Sequence, residues 1–155
     1  MLQDGESAPR FELPDAEMAM VSLDFLLGKG YVILYFYIKD DSPCCTIESI
    51  AFSDLNDEFR RLGAVVLGIS RDDCLSHCSF RDKHGLAVDL LSDPDGEVCR
   101  KYGVLVEKIL DGGVRHCVQR STFIIDREGR VAKAIYGVTA KGHAREILNL
   151  LKGMQ

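Results

Sequence analysis

Tyr31-Val32-Ile33-Leu34-Tyr35-Phe36-Tyr37 is an unbroken run of β-branched and aromatic residues, the pattern of a central strand covered on both faces. After a polar break, Ile47, Ile50, Ala51, Leu55, Phe59 and Leu62 recur at helical spacing, with Glu48, Asp54, Asp57, Arg60 and Arg61 elsewhere around the axis. Ala64-Val65-Val66-Leu67-Gly68-Ile69 reads as a second buried strand, so the three segments predict a strand, helix, strand unit with a right-handed crossover. Further on, Asp73 to His84 predicts a helix ended near Gly85, Leu90-Leu91 a short strand before the turn Asp93-Pro94-Asp95-Gly96, and Val98 to Tyr102 a short helix. Ser121 to Asp126 and Val131 to Tyr136 flank Arg127-Glu128-Gly129, a connection that suits an antiparallel hairpin. Gly142 to Leu151 is helical, with Ala144, Ile147, Leu148 and Leu151 apolar. Parallel and antiparallel pairings in one chain predict an α/β fold, a mixed central sheet with helices on its faces.

No long repeat, low-complexity segment or linker rich in Gly, Pro or Ser interrupts the 155 residues, which predicts one domain over residues 1–155. A chain of this size buries about 68–70% of its unfolded surface, so its core does not depend on disulfides or metal. The six cysteines therefore need another account. The 24 acidic and 19 basic side chains give a net charge of −5 without any run of Lys or Arg. That argues against nucleic-acid and anionic-membrane surfaces, which depend on clustered positive charge. The longest apolar stretch, Tyr31 to Ile38, is far short of the ~20 residues of a membrane span. Met1 to Asp15 carries acids and prolines rather than a basic region followed by an apolar run. The expectation is a cytoplasmic protein, in which thiols stay reduced and cysteines are buried, reactive or metal-binding rather than bridged.

Ser42-Pro43-Cys44-Cys45-Thr46 lies at the junction of the first buried strand and the first long helix. Ser at the cap and Pro at the first helical position are a start signal, which places both cysteines in the first turn. First-turn amides have no intrahelical acceptor and carry the positive end of the helix dipole, so one of these thiols is expected to be reactive. Counting about 100° per residue from Cys45, the apolar stripe spans about 140° to 320° and Cys44 falls near 260°, inside it. Cys44 is thus expected to be a small core residue. Cys45 is expected to point off the stripe, on the side of Glu48, towards a cleft. A disulfide between the adjacent pair would strain both the bridge and the turn.

Tyr35-Phe36-Tyr37-Ile38-Lys39-Asp40-Asp41-Ser42-Pro43-Cys44-Cys45-Thr46 resembles the active-site segment of peroxiredoxins of the bacterioferritin comigratory protein (PrxQ) group, Tyr-Phe-Tyr-Pro-Lys-Asp-x-Thr-Pro-Gly-Cys-Thr. The similarity extends to Gly5, Ala8-Pro9, Phe11, Leu13-Pro14-Asp15, Leu67-Gly68-Ile69-Ser70, Leu91-Ser92-Asp93-Pro94-Asp95-Gly96 and Arg120-Ser121-Thr122-Phe123-Ile124-Ile125-Asp126. The resemblance implies a thioredoxin-like fold with helices on both faces of the sheet. It makes Cys45 the peroxidatic cysteine, Ser42 the hydroxyl that bonds thiolate and peroxide, and Arg120 the cation that stabilises both. The group's proline is Ile38 here and its glycine is Cys44, departures that bear on rate and substrate access. Ser at 42 keeps the hydroxyl.

Many members of the group place a resolving cysteine five residues after the peroxidatic one, where this chain has Ile50. Others place it on the next helix, which here carries Cys74 and Cys78; the matching position is nearer Arg81, so Cys78 is the candidate by proximity. A one-cysteine mechanism with an external thiol, and Cys44 as partner, stay open. Cys99 reads as core and Cys117 as strand filler. Cys74, His77 and Cys78 form a C-x-x-H-C cluster without the second pair that structural zinc needs, so no metal is expected. Neither a P-loop nor a dinucleotide fingerprint is present, and no cofactor is expected. His84, His116 and His143 read as surface or hydrogen-bonded residues, and Glu48 as a solvated or capping carboxylate or a member of the active-site network.

The resulting expectation is a thiol peroxidase that reduces hydrogen peroxide and organic hydroperoxides through Cys45. A thioredoxin-like protein or a small-molecule thiol would regenerate it. The rival is a redox sensor or binding protein on the same fold, its peroxidase activity weakened by Ile38 and the missing cysteine at 50. A disulfide reductase is disfavoured because no C-x-x-C occurs. Monomer and homodimer are both open.

Overall fold

The computed structural model describes residues 1–155, apart from the side chain of Leu110. Its elements begin with β1 (Glu12–Pro14), β2 (Met20–Ser22), α1 (Leu23–Leu27), β3 (Tyr31–Phe36), α2 (Pro43–Asp54), α3 (Asn56–Arg61) and β4 (Ala64–Ser70). They continue with α4 (Cys74–His84), β5 (Asp89–Ser92), α5 (Glu97–Lys101), β6 (Leu105–Leu110), β7 (Gly113–Val118), β8 (Ser121–Ile125), β9 (Val131–Tyr136) and α6 (His143–Gly153). A five-stranded sheet runs in the order β5-β4-β3-β8-β9. β3 and β4 are parallel, with Tyr31 opposite Ala64 and Phe36 opposite Ile69. β5 extends β4 in parallel, while β8 is antiparallel to β3 and β9 to β8. The mixed sheet, the antiparallel β8–β9 hairpin and the α/β class expected from the pattern are all present.

Alternation along β3 sorts its side chains between two cores. Val32, Leu34 and Phe36 join Leu23 and Leu27 of α1 and Val98, Cys99 and Tyr102 of α5. Ile33, Tyr35 and Tyr37 face the other way, onto Cys45 and Phe52 of α2, Phe59 of α3, Phe80 of α4 and Ile147, Leu148 and Leu151 of α6. Gly68 opposite Tyr35 makes this second packing possible: a Cβ there would stand 2.6 Å from the Tyr35 ring.

Two features depart from the sequence pattern. The stripe from Ile47 to Leu62 is divided at Leu55 into α2 and α3. β6 and β7 form a separate antiparallel hairpin, with Val106 opposite Cys117. Its β7 strand is mostly exposed, so it carries little of the apolar alternation by which a strand is read. Among the described residues, no helix is long and apolar enough to cross a membrane.

Candidate active site

The chain leaves β3 at Phe36, with the Tyr37 amide still donating to the Ile69 carbonyl at 3.0 Å, and residues 38–41 lead to the start of α2. Ser42 has extended backbone (φ −76°, ψ 149°) and Pro43 follows it, the helix start that the sequence predicts. The Ser42 carbonyl accepts from Thr46 N–H at 2.9 Å, closing the first turn. Its hydroxyl donates to the Lys39 carbonyl at 2.9 Å and does not cap the helix. The Ser42 oxygen therefore keeps only its acceptor capacity for other partners.

The two cysteines are placed the opposite way round from the helical-wheel expectation. Cys44 is exposed, and Cys45 is 1% exposed within the second core. The buried face of α2 is Cys45, Glu48, Ser49 and Phe52, whereas Ile47 is 53% exposed. The spacing i, i+3, i+4, i+7 is a proper core face, but two of its members are polar types that a hydrophobic count discards. Tyr35 supplies the floor beneath it: its ring stacks on Phe52 at 4.6 Å and its hydroxyl donates to Ser49 Oγ at 3.0 Å. Burial pushes the Tyr35 phenol upward, so it stays protonated as that donor.

Glu48 is fully buried, which corrects the expectation of a solvated or capping carboxylate. Arg120 reaches it from the link between β7 and β8, with Nη2 3.9 Å from Glu48 Oε2. That distance gives attraction without a hydrogen bond. Burial pushes the Glu48 carboxyl up to about 7, with Arg120 pulling in the other direction. Both Glu48 oxygens, Arg120 Nε and Nη2, and Thr46 Oγ1 are buried without a hydrogen-bond partner. Such atoms are rare and costly, because each has lost water and gained nothing in return. Thr46 and Glu48 lie on α2 within three residues of Cys45, and Arg120 faces Glu48 from the β7–β8 link, so donors and acceptors are grouped near the start of that helix.

Arg120 also opens to solvent through a cavity of about 350 Å³ lined by Ile38, Val106, Lys108, Val118 and Val138. A neighbouring cavity of about 370 Å³ shares Ile38 and Val118 and adds Arg71, Pro94, His116 and Cys117. Ile38, at 49% exposure, is the wall between them. Cys117 thus lines a cavity, a placement that nothing in its sequence context signals.

The remaining candidates separate. Cys78 lies on α4 with Sγ 3.6 Å from Arg81 Nη2 and 3.7 Å from Asp82 Oδ2. Cys99 is buried as expected, and burial together with Asp93 pushes its thiol upward, leaving it unreactive. His77 is fully buried and its ring bonds Asp40 and the Leu91 carbonyl, so it does not converge with half-buried Cys74 and Cys78 into a metal site. Among the described residues, Asp40, Asp72 and His77 present ligand atoms within 4.8 Å of one another. Those atoms are engaged with one another and with Ser70, Ser76 and the Asp40 amide. His84, His116 and His143 pair with Asp41, Glu107 and Thr122 respectively.

Residues 5–134 match the AhpC/TSA family. The chain is 45% identical over 150 residues to a putative peroxiredoxin bcp of Coxiella burnetii, covering 97% of this chain and 99% of that one. It is 38% identical over 153 residues to peroxiredoxin Bcp of Bacillus subtilis, covering 99% and 97%. A solved structure of the bacterioferritin comigratory protein of Xanthomonas campestris, described for its alkyl peroxide reduction activity, superposes with a TM-score of 0.89 at 37% identity, over 93% and 91% of the two chains. A mutant of PrxQ from Xylella fastidiosa gives 0.92 at 32% identity, over 99% and 98%. With its thioredoxin-like mixed sheet and a cysteine in the first turn of the helix after β3, the chain belongs to the AhpC/TSA family, among the peroxiredoxins of the Bcp and PrxQ group.

Proposed function

We propose that the chain is a thiol peroxidase in which Cys45 is the peroxidatic cysteine and Ser42 and Arg120 assist it. The Cys45 thiolate attacks one oxygen of a hydroperoxide, the O–O bond breaks, and the other oxygen departs as water or alcohol once protonated. Cys45 is left as a sulfenic acid. Negative charge moves from sulfur to the departing oxygen, so fixed donors beside both atoms lower the barrier without having to reorganise. Arg120 suits this role because its guanidinium is always charged and presents several donors in one plane. The observation that carries the reading is buried Cys45 in the first turn of α2, with unpartnered buried atoms of Thr46 and Glu48 on the same helix and of Arg120 facing Glu48. Relatives named peroxiredoxins match nearly the whole chain, and the Xanthomonas protein is described for its alkyl peroxide reduction activity. The cavity on the Ile38 side of Arg120, walled by valines, suits an organic substituent.

Regeneration needs a thiol. Cys78 is the intramolecular candidate, and thioredoxin or a small-molecule thiol in a reducing cytoplasm is the external one. A bridge requires the two Cα atoms to come within about 7 Å. Cys78 Sγ rests against Arg81 and Cys45 is enclosed in the core, so a bridge between them requires these thiols to leave those places.

The test is rapid-mixing measurement of hydrogen peroxide consumption by wild type and Cys45→Ser. The variant is expected to lose consumption entirely, and unchanged consumption rejects the reading. Mass spectrometry of the oxidised wild type then distinguishes a bridge to Cys78 from a lasting sulfenic acid.

A further inference from the structure

The departing oxygen of a hydroperoxide needs a proton, because hydroxide and alkoxide are poor leaving groups. Ser42 has none to spare, since its hydroxyl donates to the Lys39 carbonyl at 2.9 Å. Glu48 is placed to supply one. It lies three residues after Cys45 on the buried face of α2, and helix neighbours at that spacing have Cβ atoms about 5–6 Å apart. Helical side chains lean towards the N-terminus of their helix, so Glu48 extends back over the turn that carries Cys45. Its side chain is wholly buried, and neither oxygen has a hydrogen-bond partner. Among the described residues the cation facing it is Arg120, whose Nη2 at 3.9 Å is too far for a hydrogen bond. A carboxylate enclosed in this way has lost water and regained only part of that stabilisation, which favours the neutral acid; burial pushes the group up to about 7 against the pull of Arg120. The other ionisable groups around it are Cys45 on the same helix, Tyr35 on β3 and His143 at the start of α6. Burial keeps the Tyr35 phenol protonated, and it pushes His143 towards its neutral form, with Glu146 and Arg120 pulling in opposite directions. From α3 the buried residues are Asn56 and Phe59, neither of which ionises.

We infer that Glu48 is the general acid of the peroxide step, a catalytic residue whose carboxylic proton passes to the departing oxygen as the O–O bond breaks. The inference rests on Cys45 being the residue that peroxide oxidises. The Cys45 thiolate forms a bond to one oxygen, which keeps its own hydrogen and becomes the sulfenic hydroxyl. Both electrons of the O–O bond go to the other oxygen, which takes the Glu48 proton and leaves as water or alcohol. Glu48 remains as a carboxylate, so the negative charge that began on sulfur ends facing the Arg120 guanidinium, a fixed cation that needs no reorganisation to receive it. Water entering by the cavity that Arg120 lines then returns the proton to Glu48.

An oxidant whose leaving group needs no proton separates this role from that of holding Arg120 in place. Peracetic acid releases acetate, which departs as the anion, whereas the leaving oxygen of hydrogen peroxide has to be protonated. Glu48→Gln keeps the size of the side chain and loses the acid. In stopped-flow oxidation at about pH 6, its rate constant with hydrogen peroxide is expected to fall on the order of 10²-fold and that with peracetic acid by less than about threefold. The wild-type rate with hydrogen peroxide requires the protonated carboxyl, so it is expected to decline as pH rises through about 7, and Glu48→Gln is expected to lack that decline. Wild type, in which folding is not in question, is expected to slow in deuterium oxide with hydrogen peroxide and not with peracetic acid. A ratio of the two oxidants' rates that is the same in variant and wild type, whatever the absolute rates, overturns the inference. So does a decline near pH 7 that persists in Glu48→Gln, or a wild-type rate with hydrogen peroxide that deuterium oxide leaves unchanged. Failure of the underlying reading shows differently, as peroxide consumption that survives Cys45→Ser.

Discussion

The two faces of the five-stranded sheet receive alternate residues of the same strands, and they are finished in different ways. On the α1 and α5 face the few polar groups are matched. Asp93 accepts from the amides of Val98 and Cys99, and the Tyr102 hydroxyl donates to the Pro9 carbonyl. On the α2, α4 and α6 face, Glu48, Thr46 and Arg120 keep buried atoms without a hydrogen-bond partner, and Cys45 is buried on the same helix as the first two. The first face spends nothing on function and holds the strands in place. The second carries uncompensated polar atoms that cost stability, which a fold tolerates where those atoms meet a reactant.

Substitutions on either face test that contrast. The largest effect is expected from Arg120→Met, which removes the cation beside Glu48 and should lower the rate constant for peroxide reduction on the order of 10²–10³-fold in stopped-flow measurements. A loss of less than tenfold would separate Arg120 from the chemistry. Leu23→Ala on the quiet face should cost about 2–5 kcal/mol in urea unfolding while the rate per folded molecule stays at the wild-type value.

Glu48→Gln turns the contrast into a pH dependence. Burial raises the Glu48 carboxyl from 4.5 to about 7, so between these values the folded chain holds a proton that the unfolded chain has released. Its contribution is complete below pH 4.5 and is lost as pH rises to about 7, amounting to roughly 3 kcal/mol. Unfolding free energies of variant and wild type are therefore expected to diverge by roughly 3 kcal/mol in favour of Glu48→Gln between pH 4.5 and about pH 8. A gap that does not change with pH would mean that the Glu48 carboxyl titrates alike in the folded and unfolded chain. The smallest effect belongs to Ile38→Ala. Thinning the wall shared by the two cavities should change the ratio of rates for cumene hydroperoxide and hydrogen peroxide by about threefold, read from competition between them.

The sheet was legible in the sequence because β3 is a continuous run of apolar and aromatic residues, β4 is apolar up to Ser70 and β8 ends in Phe123-Ile124-Ile125, and a fully buried strand has few other ways to be written. The start of α2 was legible because Ser42-Pro43 is a local signal that tertiary contacts do not override. The orientation of α2 was not, since Glu48 and Ser49 on its inner face are what a hydrophobic pattern assigns to solvent, and Ile47 is what it assigns to the core. The same substitution of polar for apolar that hid the inner face supplies the buried carboxylate that faces Arg120. Arg120 carries no local distinction, and only the resemblance to a family singled it out. The partnership of Asp40 with His77, 37 residues apart, is a product of packing α4 against β5 and has no signature along the chain.

Cys44 and Cys45 share a peptide bond, yet one stands in solvent and the other in the core. A maleimide dye, an iodoacetamide tag or a mercurial added to the native protein will meet position 44 first, and a thiol count taken before unfolding will report on the wrong sulfur. Labelling studies of Cys45 are therefore cleanest in a Cys44→Ser background, where the neighbour no longer competes for the probe.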